Sequence, residues 1–384
     1  MSLRTPLSLG AKLAMFAAAF ALCVIVFGAF VRLSNAGLSC PDWPTCYGKA
    51  TWPGHEHEIA SANSAFPERP VETHKAWREQ FHRMIAGTLG VLVLGLALLA
   101  TRRQPVARTG VVVAAALAAI GTVLYMRGAF AWSAWLSALA IAIPLWLAAR
   151  SSRPAPWRLA VVTLAVIIFQ AMLGMWTVTW LLKPLVVMAH LLGGLATFAL
   201  LAYIALRLAG IGNDGDARVA APGHAVIVGL LLLSLQIALG GWTSANYAAL
   251  ACGIDFPTCL GQWWPATDFG EGFVLWRGIG ANYEGGVLDL PARSAIQLTH
   301  RIGALIVFVY LAWLSHRLAR HGQRAVGIGL GLALLAQVSV GIGNVLLGLP
   351  LALATAHNAL AVVLLFTLLC ALSRTQPRIA QDLR

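Results

Sequence analysis

Ten stretches of this chain are each long and apolar enough to cross a bilayer, and that recurrence leaves few folds open. About 20 helical residues span ~30 Å of hydrocarbon. Runs near that length stand at 12–32, 80–100, 109–126, 129–149, 159–179, 185–206, 224–243, 294–315, 325–347 and 351–372. In lipid every backbone polar group must find its partner within the protein, so such runs become helices. Composition agrees, with 59% of residues hydrophobic and 11% charged. The expected class is an all-α polytopic membrane protein. The first run lacks an A-x-A cleavage site after a short apolar core, so it reads as a retained helix, with a secretory peptide as the alternative.

Basic residues near helix ends mark the cytoplasmic side. With ten spans and both termini inside, that side receives Arg4, Lys12, Arg102, Arg103, Arg108, Arg150, Arg153, Arg158, Arg207, Arg218, Arg317, Arg320, Arg324, Arg374, Arg378 and Arg384. It also receives the acids Asp214, Asp216 and Asp382. The remaining basic and acidic residues cancel, so the whole net charge of +13 falls on one face. Such a charge pattern needs no nucleic-acid partner, since no basic cluster is interleaved with aromatics.

The two longest outer loops, 33–76 and 244–292, carry related phrases, "CPDWPTC" at 40–46 and "CGIDFPTC" at 252–259. Outside is where disulfides persist. Cys40 with Cys46 and Cys252 with Cys259 read as two small braced loops; a metal or redox role is the alternative, weakened by the lack of neighbouring ligands at zinc spacing. Cys23 and Cys370, inside helices, read as small buried hydrophobes. After each loop a helix is entered through a His-Arg pair, "EQFHRMIAGTL" at 79–89 and "QLTHRIGALIV" at 297–307. Later, "FQAMLGMWTV" with "KPLVVMAHLLGGL" is answered by "AQVSVGIGNV" with "LPLALATAHNAL". A tandem duplication follows: two parallel four-helix bundles, 1–210 and 211–384, with an extra hairpin at 109–149 in the first.

His82, His190, His300 and His357 enter their helices from the outer side at five or six residues' depth, about 8–9 Å at ~1.5 Å per residue. One such histidine is as readily a side chain satisfied by a neighbouring carbonyl as a ligand. Four at one depth, two per repeat, point to bis-histidine haem sites, His82 with His190 and His300 with His357. Arg83 and Arg301 could meet haem propionates or serve as plain interfacial anchors. Gly193, Gly194 and the "GIGNVLLG" stretch read as close helix contacts. Glu79 lies three residues before His82, where the second half has Gln297. That carboxylate could take a proton or stabilise positive charge; a first-turn acid favoured by the helix dipole is the other reading. His55, His57 and His74 belong to a solvated loop or touch copper or a partner, while His224, His316 and His321 at inner ends have no catalytic part.

These motifs resemble the haem A synthase family. The residues that carry it are "EQFHR", the "LSNAGLSCPDWPTCYG" phrase, "FQAMLGMWTV" with "KPLVVMAHLLGG", and their second-half echoes. It covers nearly the whole chain outside 101–157 and departs from an eight-helix plan by the extra hairpin. The resemblance implies oxidation of the C8 methyl of haem O to the formyl of haem A, for cytochrome oxidase assembly. It implies haem b on His300 and His357, and substrate haem O, becoming haem A, on His82 and His190, with Glu79 catalytic. It also implies that the loop cysteines form disulfides and that Cys40 and Cys46 influence activity. Implied partners are haem O and the enzyme that makes it, cytochrome oxidase assembly factors, membrane lipid and a second copy of the chain. The location is a bacterial inner membrane, with the haem sites and cysteine loops toward the periplasm. A di-haem, quinone-linked electron carrier fits the same ligands; transport fits less well, because the polar residues gather toward one face and not at the midplane.

Overall fold

The computed structural model describes residues 7–150 and 156–378. Arg4, Arg153, Arg384 and Asp382, four of the charges placed inside, lie outside the described residues. Among the described residues ten helices are long and apolar enough to cross a membrane: α1 (Leu9–Leu33), α3 (Thr73–Ala100), α4 (Pro105–Met126), α5 (Phe130–Arg150), α6 (Pro156–Thr179), α7 (Pro184–Leu208), α9 (Gly223–Ala245), α11 (Leu290–Arg320), α12 (Arg324–Leu346) and α13 (Leu351–Thr375). Three short helices, α2 (Glu56–Ala65), α8 (Ala217–Ala220) and α10 (Phe269–Gly272), sit in the connections. Among the described residues there is no sheet, only isolated bridges such as Cys46 with Lys49 and Cys259 with Gln262. Large apolar side chains face outward along the spans, Val91, Trp132 and Leu332 among them. Exposure on that scale suits lipid and not water.

Local chemistry sets the helix ends. Ser8 and Asp289 cap α1 and α11 by accepting the amides of Ala11 and Ala292. Pro105 and Pro184 open α4 and α7, where a missing N–H costs nothing. Two of the entry points differ from the sequence reading. α3 begins at Thr73 and α11 at Leu290, so His82 and His300 stand nine and ten residues in, about 14–15 Å at ~1.5 Å per residue. His190 and His357 stand six residues in. The turns added to α3 are polar, which hydropathy cannot count as membrane, yet they continue the helix and carry Glu79. Cys23 also differs, being exposed on the outer face of α1 and not buried; Cys370 is half-buried.

Helices α1, α3, α6 and α7 pack in a ring in which each touches the next, α1 to α3, α3 to α6, α6 to α7 and α7 back to α1. Helices α9, α11, α12 and α13 repeat that ring in the same order. In both rings the histidine-bearing helices, α3 with α7 and α11 with α13, stand on a diagonal and face each other across the centre. The rings meet through α7 against α13, and through the reciprocal contacts α1 with α13 and α7 with α9. The hairpin α4–α5 leans on α3 and α6.

Polar clasps tie the rings at both ends. At the disulfide end Arg32 donates to the Ser244 carbonyl at 2.8 Å and to the Tyr247 hydroxyl at 3.2 Å, and Arg69 pairs with Glu284 at 3.0 Å. At the arginine-rich end the buried Arg207 of α7 donates to the carbonyls of Ser373 (3.1 Å), Ile211 (3.2 Å) and Pro377. Arg207→Met should therefore strand buried carbonyls and cost about 2–3 kcal/mol. Reversible unfolding in mixed micelles would measure it, and a loss within ~0.5 kcal/mol, the range of an ordinary surface change, would contradict the clasp.

Candidate functional site

The four histidines line one cavity of about 2120 Å³. A drug-sized ligand site holds about 300–1,000 Å³, so there is room here for two large ligands. His82 and His190 line it on diagonal helices of the first ring, and His300 and His357 on diagonal helices of the second. The hairpin also walls the cavity on the first-half side, through Ala115, Ala118 and Thr122 of α4 and Ser133 and Ser137 of α5.

Each imidazole lies edge-on against a glycine of a neighbouring helix. A methyl group built on Gly28 would come within 2.7 Å of His82 Cε1; on Gly174, 3.2 Å from His190; on Gly240, 3.2 Å from His300; and on Gly341, 2.9 Å from His357. These glycines obey the repeat. Gly240 follows Gly28 by the 212 residues that separate Cys252 from Cys40, and Gly341 follows Gly174 as His357 follows His190. Such contacts let the histidine helices approach and fix where each ring can stand.

Three rings are also held by a glutamine one helical turn before the glycine. Gln170 Nε2 lies 3.1 Å from His190 Nδ1 and donates to the His190 carbonyl at 2.7 Å. Gln236 Nε2 lies 3.0 Å from His300 Nδ1 and donates to the His300 carbonyl at 2.9 Å. Gln337 reaches the other ring nitrogen, Nε2 of His357, at 3.2 Å. His82 has no such partner and its Nδ1 is buried without a hydrogen bond. The sequence reading missed these glutamines, although "QAMLG", "QIALG" and "QVSVG" repeat one Q-x-x-x-G spacing in three helices.

Glu79 is buried at the cavity edge, on the same face of α3 as His82. Its Oε2 accepts from the Cys40 amide at 2.8 Å and the Ser39 hydroxyl at 3.0 Å, while Oε1 accepts from Arg83 at 2.5 Å. Gln297, its counterpart, leaves its Oε1 buried and unpartnered. The adjacent loops are closed by the disulfides Cys40–Cys46 and Cys252–Cys259. Arg83 donates its four terminal N–H groups to Glu79 and to the carbonyls of Asp42, Thr45 and Cys40. Arg301 donates to the carbonyls of Asp255, Thr258 and Pro257. Both guanidiniums brace disulfide loops, which leaves Arg83 no free terminal N–H for a propionate and Arg301 one. A loop of carbonyls is the nearer and more concentrated acceptor, and sequence spacing does not reveal it.

Among the described residues no three His, Cys, Asp or Glu side chains converge to hold a bare metal ion. His55 and His57 stack on each other at 5.9 Å, and His74 lies 3.9 Å from Glu72. A facing pair of imidazoles is a donor set for a metal that arrives in a macrocycle with four ligands of its own, needing only axial bonds. Two such pairs, glycine-cradled in one apolar cavity, fit two haems. Gly28→Ala, whose methyl meets His82 most closely, should release at least about tenfold more porphyrin from the first pair than Gly174→Ala. Porphyrin retained per purified chain measures this, and equal retention would refute the cradle.

The family model of a cytochrome oxidase assembly protein (COX15-CtaA) matches residues 11–140 and 125–369. The haem A synthase of Shewanella oneidensis is 38% identical over 353 residues, 91% of each chain. That of Rhizorhabdus wittichii is 23% identical over 369 residues, 93% of this chain and 91% of its own. That of Listeria welshimeri is 26% identical over 356 residues, 90% and 89%.

Proposed function

We propose, for a chain that belongs to the cytochrome oxidase assembly protein (COX15-CtaA) family, the activity of a haem A synthase, an integral-membrane oxidoreductase that converts the C8 methyl of haem O to a formyl group. One observation carries the reading: two facing histidine pairs share a cavity large enough for two porphyrins, and a carboxylate edges one of them alone. The repeats divide at 1–210 and 211–384. His82 and His190 take substrate haem O through its iron in the first, and His300 and His357 hold resident haem b in the second. Bound there, haem b would accept and pass on single electrons. Disulfides persist only on an oxidising side, which supports the periplasmic side of a bacterial inner membrane for the cysteine loops and the cytoplasm for both termini and the arginine-rich end.

Conversion of methyl to aldehyde consumes one water and releases four electrons and four protons, through an alcohol and a gem-diol that loses water. The electrons leave for an acceptor outside this chain. Glu79 is the catalytic residue of the proposal. Arg83 and the Cys40 amide donate to it and stabilise its charged form, which favours a fixed negative group beside a carbon that becomes cation-like. Arg83 offsets part of that charge and sets the carboxylate's orientation. The backbone amide of Cys40 supplies one of those bonds, which links the disulfide loop to the site and gives Cys40 and Cys46 a route to activity. Contact of Arg83 or Arg301 with propionates would need the loops to yield donors. Haem O, the enzyme that supplies it, oxidase assembly factors and a second copy of the chain are the partners in this reading.

Expression in cells that make haem O but no haem A, followed by extraction of non-covalent pigment, tests the function. Formyl-bearing haem is expected; its absence from a chain holding both haems would favour an electron carrier. Glu79→Gln should keep porphyrin content and lower turnover about 10²–10³-fold. Gln297 shows that an amide fits the equivalent place. Undiminished turnover would remove Glu79 from the chemistry.

A further inference from the structure

The four histidines are held to three different degrees, and the difference follows from two positions per ring. His190 and His300 are doubly fixed, each by a glutamine that reaches Nδ1 and the histidine's own carbonyl. That glutamine lies flat on a glycine three residues after the histidine. A methyl built on Gly193 would come within 2.2 Å of Gln170 Oε1, and one on Gly303 within 2.3 Å of Gln236 Oε1. His357 is followed at that spacing by Leu360. There Gln337 reaches only Nε2 and has no bond to the main chain. His82 lacks both parts: Val24 stands one turn before Gly28 where a glutamine would be, and Ile85 stands three residues after the ring. Val24 is buried, cannot hydrogen-bond, and leaves His82 Nδ1 without a partner.

A histidine that ligates a metal through one nitrogen is oriented by what its other nitrogen bonds, and removing that partner lowers metal affinity about 10–100-fold. With one ring nitrogen on the metal the other carries the proton, so the amide would turn its Oε1, buried and unpartnered in all three glutamines, to accept it. We propose that Val24 and Ile85 leave His82 as the loosely held, exchangeable axial ligand of the first site, whereas Gln236 over Gly303 fixes His300, so that porphyrin leaves the first site and stays in the second. The inference rests on the haem reading above. Val24 and Ile85 are positioning residues, acting only through His82. The asymmetry suits the division of labour, since a substrate site must empty after each turnover and a resident cofactor must not.

The test follows porphyrin transfer from the intact, purified protein to excess apomyoglobin, after its content is counted as pyridine haemochrome. Two phases are expected, the faster one absent in His82→Ala. Installing the clamp with Val24→Gln and Ile85→Gly together should slow the fast phase at least about tenfold. It should also lower that site's midpoint potential, because an imidazole hydrogen-bonded at Nδ1 donates more strongly and favours ferric iron. The apolar control, Val24→Leu with Ile85→Gly, should change neither. Gln236→Val should move the second site the opposite way, with faster loss and a raised potential, and it keeps the idea testable should the double variant fail to fold. A fast phase that belongs to His300 and His357, or equal effects of the glutamine and leucine variants, would overturn the inference and leave the haem sites standing. A wild-type chain that binds no porphyrin would overturn the functional reading and this inference with it.

Discussion

A ring of imidazole placed among apolar helices must have its nitrogens bonded or ligated, and it must have room. Those two demands organise this molecule. Room is provided by glycine on the neighbouring helix, Gly28, Gly174, Gly240 and Gly341, each against the Cε1 edge of one ring. Bonding is provided at one nitrogen of three rings by Gln170, Gln236 and Gln337 and is missing at His82. The ring order of the helices then does the rest, because placing α3 diagonal to α7 and α11 diagonal to α13 turns four separate side chains into two opposed pairs.

The two halves share this frame and differ in a few side chains with chemical consequences. Glu79 against Gln297 puts a carboxylate beside one pair only, fixed by Arg83 and by the Cys40 amide. Val24 against Gln236 frees one histidine and holds its counterpart. A wall of small residues from α4 and α5 borders the first half and has no equivalent in the second. In the proposed reading, substitution at these few positions separates a site for turnover from a site for retention.

The disulfide-closed loops are part of the site and not a covering for it. Arg83 and Arg301 each reach up into a disulfide-closed turn and take its inward carbonyls, at matching residues: Asp42 and Asp255, Thr45 and Thr258. Buried carbonyls of a tight turn need donors, and a guanidinium with its fork of N–H groups supplies several at once. The ion pair with Glu79 continues that network into the cavity, so the position of the acid depends on the loop above it.

The sequence by itself determined the number of spans, the internal duplication, the four histidines and the Glu79 asymmetry. Each of these is written in one-dimensional signals, apolar length, repeated phrases and i, i+3 spacing, that do not depend on distant residues. Its reading of helix depth fell short at α3 and α11; at α3 hydropathy stops where polar turns begin while backbone hydrogen bonding does not. The loop carbonyls that Arg83 and Arg301 bind were not legible in spacing, and Cys23 turned to the outside. The Q-x-x-x-G spacing was legible but carried no meaning until α1, α6, α9 and α12 were seen beside the histidine helices. Only the tertiary structure decides which nitrogen meets which amide and which methyl would collide with which ring. Such contacts join residues far apart in the chain at distances near 3 Å, and no local pattern encodes a distance.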